Sequence, residues 1–328
     1  AQENVAQDKP AQENPAPAAE PAPDTAPTEG AQPPTVATKP SAATERKAAE
    51  WVLQVGGKVT VQAGGGKPEE LSGPQAKLPQ GDLVVIGVDV SNCPEVKDEG
   101  LQNLAGLSKL ESINLANTLA SDAGLQPLSG MANIKTANLQ NTKVGDAGME
   151  VVKTWTKLEK LNLAGTLATD AAITTISDLT ELAELNISST AISSVNYLSE
   201  MEKLTWLDAS NSQLKTLSLS NLKWLSLGGN NLSDRDIPQL SGLASVEHLE
   251  LWRTPVNDNN VGALAGLTGL KSLDLSGTSL SGVGLMKLRT LTGLTSLQLA
   301  ETRVGDEGLS ALQSFPQLKE LNLASTNL

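Results

Sequence analysis

LTSLQLAETRVGDEGLSALQSFPQL, residues 294–318, decides the architecture of this chain. Leu294, Leu297 and Leu299 alternate with polar residues, the period of a strand buried on one face. Leu309, Leu312 and Phe315 then recur every three residues, the spacing of a short helix or helical turn laid against the strand layer. Near copies in the pattern LxxLxLxxTxVxDxGLxxLxxL begin at Val85, Leu110, Ile134, Leu158, Leu182, Leu204, Leu222, Val246, Leu270, Leu294 and Leu318. Their intervals are 25, 24, 24, 24, 22, 18, 24, 24, 24 and 24 residues. A unit this short cannot offset its ordering entropy alone, so about ten or eleven copies must stack and share a core.

The pattern resembles the leucine-rich repeat family over residues 85–328. The Asp followed by Gly-Leu is most similar to the cysteine-containing subclass shared by GALA-like bacterial effectors and the repeats attached to F-box proteins. That subclass carries Cys at position nine. Cys93 holds the place in the first copy, and Thr118, Thr142, Thr166, Thr190, Thr254, Thr278, Thr302 and Thr326 hold it later. The resemblance implies an α/β fold, a right-handed leucine-rich repeat solenoid, or horseshoe, with a parallel β-sheet on its concave side. It also implies a protein partner, by analogy of fold.

Composition narrows the function. A net charge of -13 argues against nucleic acid, whose phosphates call for clustered Lys and Arg. A single Cys excludes an intrachain disulfide, and no apolar run is long enough to span a membrane. The chain opens at Ala1 on a polar stretch, as an exported protein does after its signal peptide is removed. The expectation is therefore a periplasmic, cell-envelope or extracellular location, the alternative being a trimmed chain.

Residues 1–40 hold nine of the 17 prolines and six acidic residues, and no Leu, Ile, Met, Phe, Tyr or Trp. Such a segment reads as a disordered Ala/Pro/Glu-rich linker, either a spacer or a solubilising tail. Residues 41–84 read as an N-terminal cap. Ala48, Trp51, Val52 and Val55 share one helix face, Gly56-Gly57 ends the helix, residues 58–62 alternate like a strand, and 63–82 read as loop. Gly64-Gly65-Gly66-Lys67 lacks the spacing and the following Ser or Thr of a phosphate loop.

Asp98, Asp122, Asp146 and Asp170 recur just before each convex helix, where a carboxylate can accept bonds from the free amides of a helix start. Repetition makes them caps rather than catalytic acids. Gly282 takes the Asp place in a later copy, and Cys93 reads as a small buried hydrophobe. Regularity fails between Leu182 and Leu222, where the shortened copy leaves no room for a helix.

Strand parity then locates a candidate site. Positions 3, 5 and 7 of each copy face out of the core onto the concave surface. Position 3 supplies Trp206, Trp224 and His248 on successive rungs, position 7 adds Trp252, and position 8 adds Arg253. Asp208 and Glu250 flank the rings at position 5, and Lys223 lies next to Trp224. Exposed aromatic rings with Arg are the material of binding hot spots, although the rings can equally form a cross-strand ladder that stabilises the sheet.

One His and one Cys offer no catalytic constellation, no metal site and no cofactor motif. Asn257-Asp258-Asn259-Asn260 lacks the Gly and Glu of a calcium loop. The expected function is non-enzymatic recognition of a protein on the concave face. Polysaccharide binding on the same Trp-lined face and a structural envelope role are the alternatives. A further expectation is a homodimer paired through an open C-terminal strand edge.

Overall fold

The computed structural model describes residues 41–214 and 221–328. The linker reading of residues 1–40 and the centre of the shortened copy, 215–220, lie outside the described residues. Helix α1, Ala42–Gln54, starts at Ser41, whose hydroxyl accepts the Thr44 amide at 3.2 Å, and ends before Gly56 in the left-handed region. It buries Ala48, Ala49 and Val52 against the sheet.

Strand β1, Lys58–Ala63, pairs antiparallel with β2, Glu69–Ser72, on one side and with β3, Leu83–Asp89, on the other. The loop expected over 63–82 thus contains a strand. Its signal was hidden because Glu69-Glu70-Leu71-Ser72 is short, charged and bracketed by Pro68 and Gly73. From β3 onward every strand is parallel to the next: β4 Ser112–Asn114, β5 Thr136–Asn138, β6 Lys160–Asn162, β7 Glu184–Asn186, β8 Trp206–Asp208, β9 Trp224–Ser226, β10 His248–Glu250, β11 Ser272–Asp274, β12 Ser296–Gln298 and β13 Glu320–Asn322. Register is matched position for position, as in Trp206 opposite Trp224 and Trp224 opposite His248. The result is an open α/β leucine-rich repeat solenoid with one continuous sheet.

Leucines at positions 4 and 6 line the interior, and Trp155 is fully buried with its indole donating to the Leu128 carbonyl at 3.0 Å. At position 8 the backbone is left-handed in every copy, through Asn92, Asn117, Asn141, Gly165, Ser189, Asn211, Gly229, Arg253, Gly277, Glu301 and Ser325. One residue later the Thr hydroxyl donates back to the position 6 carbonyl, as Thr118 does to Leu115 at 2.7 Å. Where Asn230 replaces Thr, its amide bonds both Leu227 and Ala209 carbonyls, at 2.9 and 2.7 Å.

The recurring aspartates cap, but not the helix they begin. Asp122 Oδ1 accepts the Gly145 and Gly148 amides of the following copy at 2.7 and 2.9 Å. Asp146 does the same for Thr169 and Ala172, at 2.8 and 3.1 Å, and takes the Thr169 hydroxyl at 2.6 Å. Each carboxylate is therefore an inter-copy staple. The Gly of the D-x-G pattern makes room for it: a Cβ on Gly124 would lie 2.3 Å from Asp98 Oδ1, and one on Gly148 2.7 Å from Asp122 Oδ1. Gly282 substitutes close backbone packing for the staple, since a Cβ there would sit 2.6 Å from the Gly308 nitrogen.

The convex layer changes character along the chain. Short α-helices occupy it at α2 Asp98–Leu101, α3 Asp122–Leu125, α4 Asp146–Val152 and α5 Asp170–Ile176, and again at α6 Gly282–Leu285 and α7 Asp306–Leu312. Between α5 and α6 the described residues hold only 3-10 turns, at Asn196–Glu200, Ile237–Gly242 and Val261–Gly266.

Candidate functional site

Alternation along each three-residue strand buries the middle residue and turns its neighbours outward. Leu207, Leu225 and Leu249 are buried, while Trp206, Trp224 and His248 are half-buried on the concave side. Trp206 and Trp224 stack face to face, ring centroids 4.4 Å apart and planes 9° from parallel. Trp206 also forms one wall of a shallow depression of about 250 Å³, which runs back over β7, β6 and β5 past Glu184, Lys160, Asn162 and Thr136. Lys160 and Glu184 pair within it at 2.7 Å.

Trp252 is placed differently from the stacked pair. Its ring lies across the backbone of Gly228 and Gly229: a Cβ on Gly228 would be 2.1 Å from an indole carbon, and one on Gly229 3.0 Å. Two consecutive glycines in the ninth strand's turn thus form the notch in which this indole rests. The half-buried ring borders the concave face beside Glu250.

Position 5 has a structural duty that period-2 reasoning does not reveal. In Asp89, Asn114, Asn138, Asn162, Asn186, Asp208, Asp274 and Asn322 a side-chain oxygen accepts the amide two residues on, at 2.8 to 3.1 Å, closing the turn after the strand. Asp208 also accepts the Ser210 hydroxyl at 2.7 Å. Such side chains are partly spent on their own backbone. Ser226 and Glu250 are not among them.

Glu250 is half-buried, and burial pushes its carboxyl above the ordinary value. The charges of Asp274 and Asp208 push it the same way. The Ser226 hydroxyl and the Trp252 indole pull in the opposite direction without prevailing. Ser226 is only 1% exposed, and its Oγ sits near this carboxylate without reaching hydrogen-bond geometry to any partner.

The basic residues of the candidate set have acidic neighbours within the chain. Arg253 Nη2 lies 3.7 Å from Glu301 Oε2, and its side chain crosses Gly277, where a Cβ would be 2.8 Å from Arg253 Cγ. Lys223 belongs to a charge ladder at the strand starts, 4.0 Å from Glu247, which is also bonded to Lys271. Both side chains are well exposed, so these pairs hold them only loosely. Trp206, Trp224, His248, Asp208 and Glu250 therefore share one surface, Trp252 and Arg253 rim it at the strand ends, and Lys223 borders it at the strand starts.

The features near the other sequence motifs are structural. Cys93 donates weakly to the Ser91 carbonyl at 3.6 Å, and burial, with Asp89, pushes its thiol up. Asn257 and Asn260 both donate to Asp234, at 2.8 and 3.0 Å, and Asp258 staples Ser281, so this stretch is occupied by inter-copy bonds. Among the described residues no group of three His, Cys, Asp or Glu is placed to hold a metal, and no helix is long and apolar enough to cross a membrane.

Comparison with known proteins agrees with this architecture. Leucine-rich repeat family models match residues 267–288, 291–312 and 221–243. No curated protein matches the chain. Among solved structures, an internalin, InlF, from Listeria monocytogenes is similar at a TM-score of 0.58 and 19% identity, covering 75% of this chain and 84% of that one. A TDR receptor is similar at a TM-score of 0.50 and 16% identity, covering 74% of this chain and 48% of the receptor. The chain carries leucine-rich repeats in these segments and folds as a leucine-rich repeat solenoid.

Proposed function

We propose that this chain is an exported, non-enzymatic recognition module that binds a protein partner on the concave face between β7 and β11. The observation that carries this reading is the placement of two large indoles, Trp206 and Trp224, side by side on the outer face of a sheet whose buried side is mostly aliphatic. Rigid, half-exposed aromatic rings supply contact area at small entropic cost. The adjoining depression continues the surface across β7 to β5, a shape suited to an extended segment. The inter-copy Asp and the Gly two residues on support placing the repeats in the cysteine-containing, GALA-like subclass.

The reading is tested by affinity capture from envelope extract beside a glycan array, using wild type and the Trp206→Ala/Trp224→Ala variant. Capture of a protein that the variant loses, with no glycan signal, supports the proposal. Saturable glycan binding that quenches Trp fluorescence replaces it with polysaccharide recognition. Unchanged capture by a variant that melts lower makes the stacked rings a sheet-stabilising ladder.

A further inference from the structure

Position 5 of the repeat shows where the sheet departs from its own rule. Eight side chains there close the strand-end turn, and the departures nearest the tryptophans are Ser226 and Glu250, on adjacent rungs. A carboxylate released from backbone duty and drawn half out of water needs a positive partner, because an uncompensated buried charge is costly. Among the described residues none is provided from within: Lys223 and Lys271 face Glu247, Arg253 faces Glu301, and His248 acts on Glu247. Beside it, the buried Ser226 hydroxyl sits near the carboxylate without reaching hydrogen-bond geometry to any group.

The geometry points to a protonated Lys or Arg side chain, carried on an extended segment of the protein partner, as the group seated here, its charge on Glu250 and its stem along Trp224 and Trp252. This rests on the concave-face reading above and specifies the chemistry of the partner. Indole faces attract cations through their quadrupole, and Asp208 and Asp274 on flanking rungs deepen the negative potential. A divalent metal fits less well, since Asp208 and Asp274 each commit an oxygen to their own strand ends. The occupied site would give Ser226 a carboxylate held in one orientation to donate to.

The test follows the five indole N–H signals of the full chain by ¹H–¹⁵N NMR during titration with three probes: Nα-acetyl-arginine methylamide, Nα-acetyl-lysine methylamide and the uncharged Nα-acetyl-norleucine methylamide. Saturable shifts of the Trp224 and Trp252 signals with a charged probe, at least tenfold tighter than with norleucine, are expected. Glu250→Gln should weaken that binding at least tenfold, and Glu202→Gln, an exposed carboxylate elsewhere, should leave it unchanged. Norleucine shifting the indoles as strongly as arginine overturns the charge assignment. If no probe moves them while partner capture still depends on Trp206 and Trp224, the cation site falls and the concave-face reading stands. The wild-type comparison of probes decides the matter even if a variant fails to fold.

Discussion

Trp206 and Trp224 lie on neighbouring parallel strands at matched register, their rings 4.4 Å apart and nearly parallel. That contact stabilises the sheet, and it fixes both rings before any partner arrives. Preorganisation of this kind lowers the ordering cost of binding.

A double-mutant cycle on Trp206→Ala and Trp224→Ala, read by urea denaturation, should give a coupling of about 0.5–1.5 kcal/mol. Additive effects would mean that the rings do not stack in solution.

The inter-copy staples make a stronger stability prediction than a local helix cap would. Asp98→Ala should cost about 1.5–3 kcal/mol, because it removes a charged acceptor from the Ser121 amide and hydroxyl at 2.8 and 2.6 Å. Gly124→Ala should cost a similar amount by intruding on the same carboxylate, with the double variant well short of the sum. Denaturant midpoints of the four proteins check this.

Asp170 adds a pH signature. Burial alone would raise its carboxyl, but the Ser193 hydroxyl and the Ser193 and Ser194 amides hold it below the usual value. A group lowered by folding contributes stability that is present above its unfolded value and lost as pH falls through the folded one. The stability advantage of wild type over Asp170→Ala should therefore be constant from pH 7 to about 5 and shrink on acidification below about pH 4. Thermal melts across that range measure it, and an advantage that grows on acidification would refute the assignment.

Arg253 sits in the left-handed region at φ +51°, where most side chains are strained and where Gly165, Gly229 and Gly277 stand in sister copies. Its exposed pairing with Glu301 offsets little of that strain. Arg253→Gly should leave stability unchanged or raise it by up to about 1 kcal/mol, while weakening partner binding if Arg253 rims the interface. A destabilised Arg253→Gly protein would show that the residue is held for packing.

How far the sequence reached can be traced residue by residue. Strand parity is a local, period-2 property, so the outward placement of Trp206, Trp224 and His248 was legible from Leu207, Leu225 and Leu249 alone. Asp122 does accept helix-start amides, but those of Gly145 and Gly148 in the next copy, a contact that no local pattern contains. The D-x-G spacing was the available signal, since a conformationally ordinary glycine repeated at one position marks close approach of another group. That Ser226 and Glu250 depart from the position 5 pattern is not written in the sequence, because the pattern itself consists of side chains bonding their own backbone two residues on. The notch under Trp252 was written as Gly228-Gly229, but only packing connects those glycines to a ring in the following copy.

The central claim is that the stacked indoles are a docking surface. It is tested most directly by the equilibrium affinity of the purified captured partner for wild type, Trp206→Ala/Trp224→Ala and Tyr197→Ala, the last removing a ring that is 57% exposed on a 3-10 turn away from the sheet. Loss of at least about 2 kcal/mol, or roughly 30-fold in Kd, for the tryptophan variant and no change for Tyr197→Ala is the predicted result. Undiminished affinity in a folded tryptophan variant would contradict it.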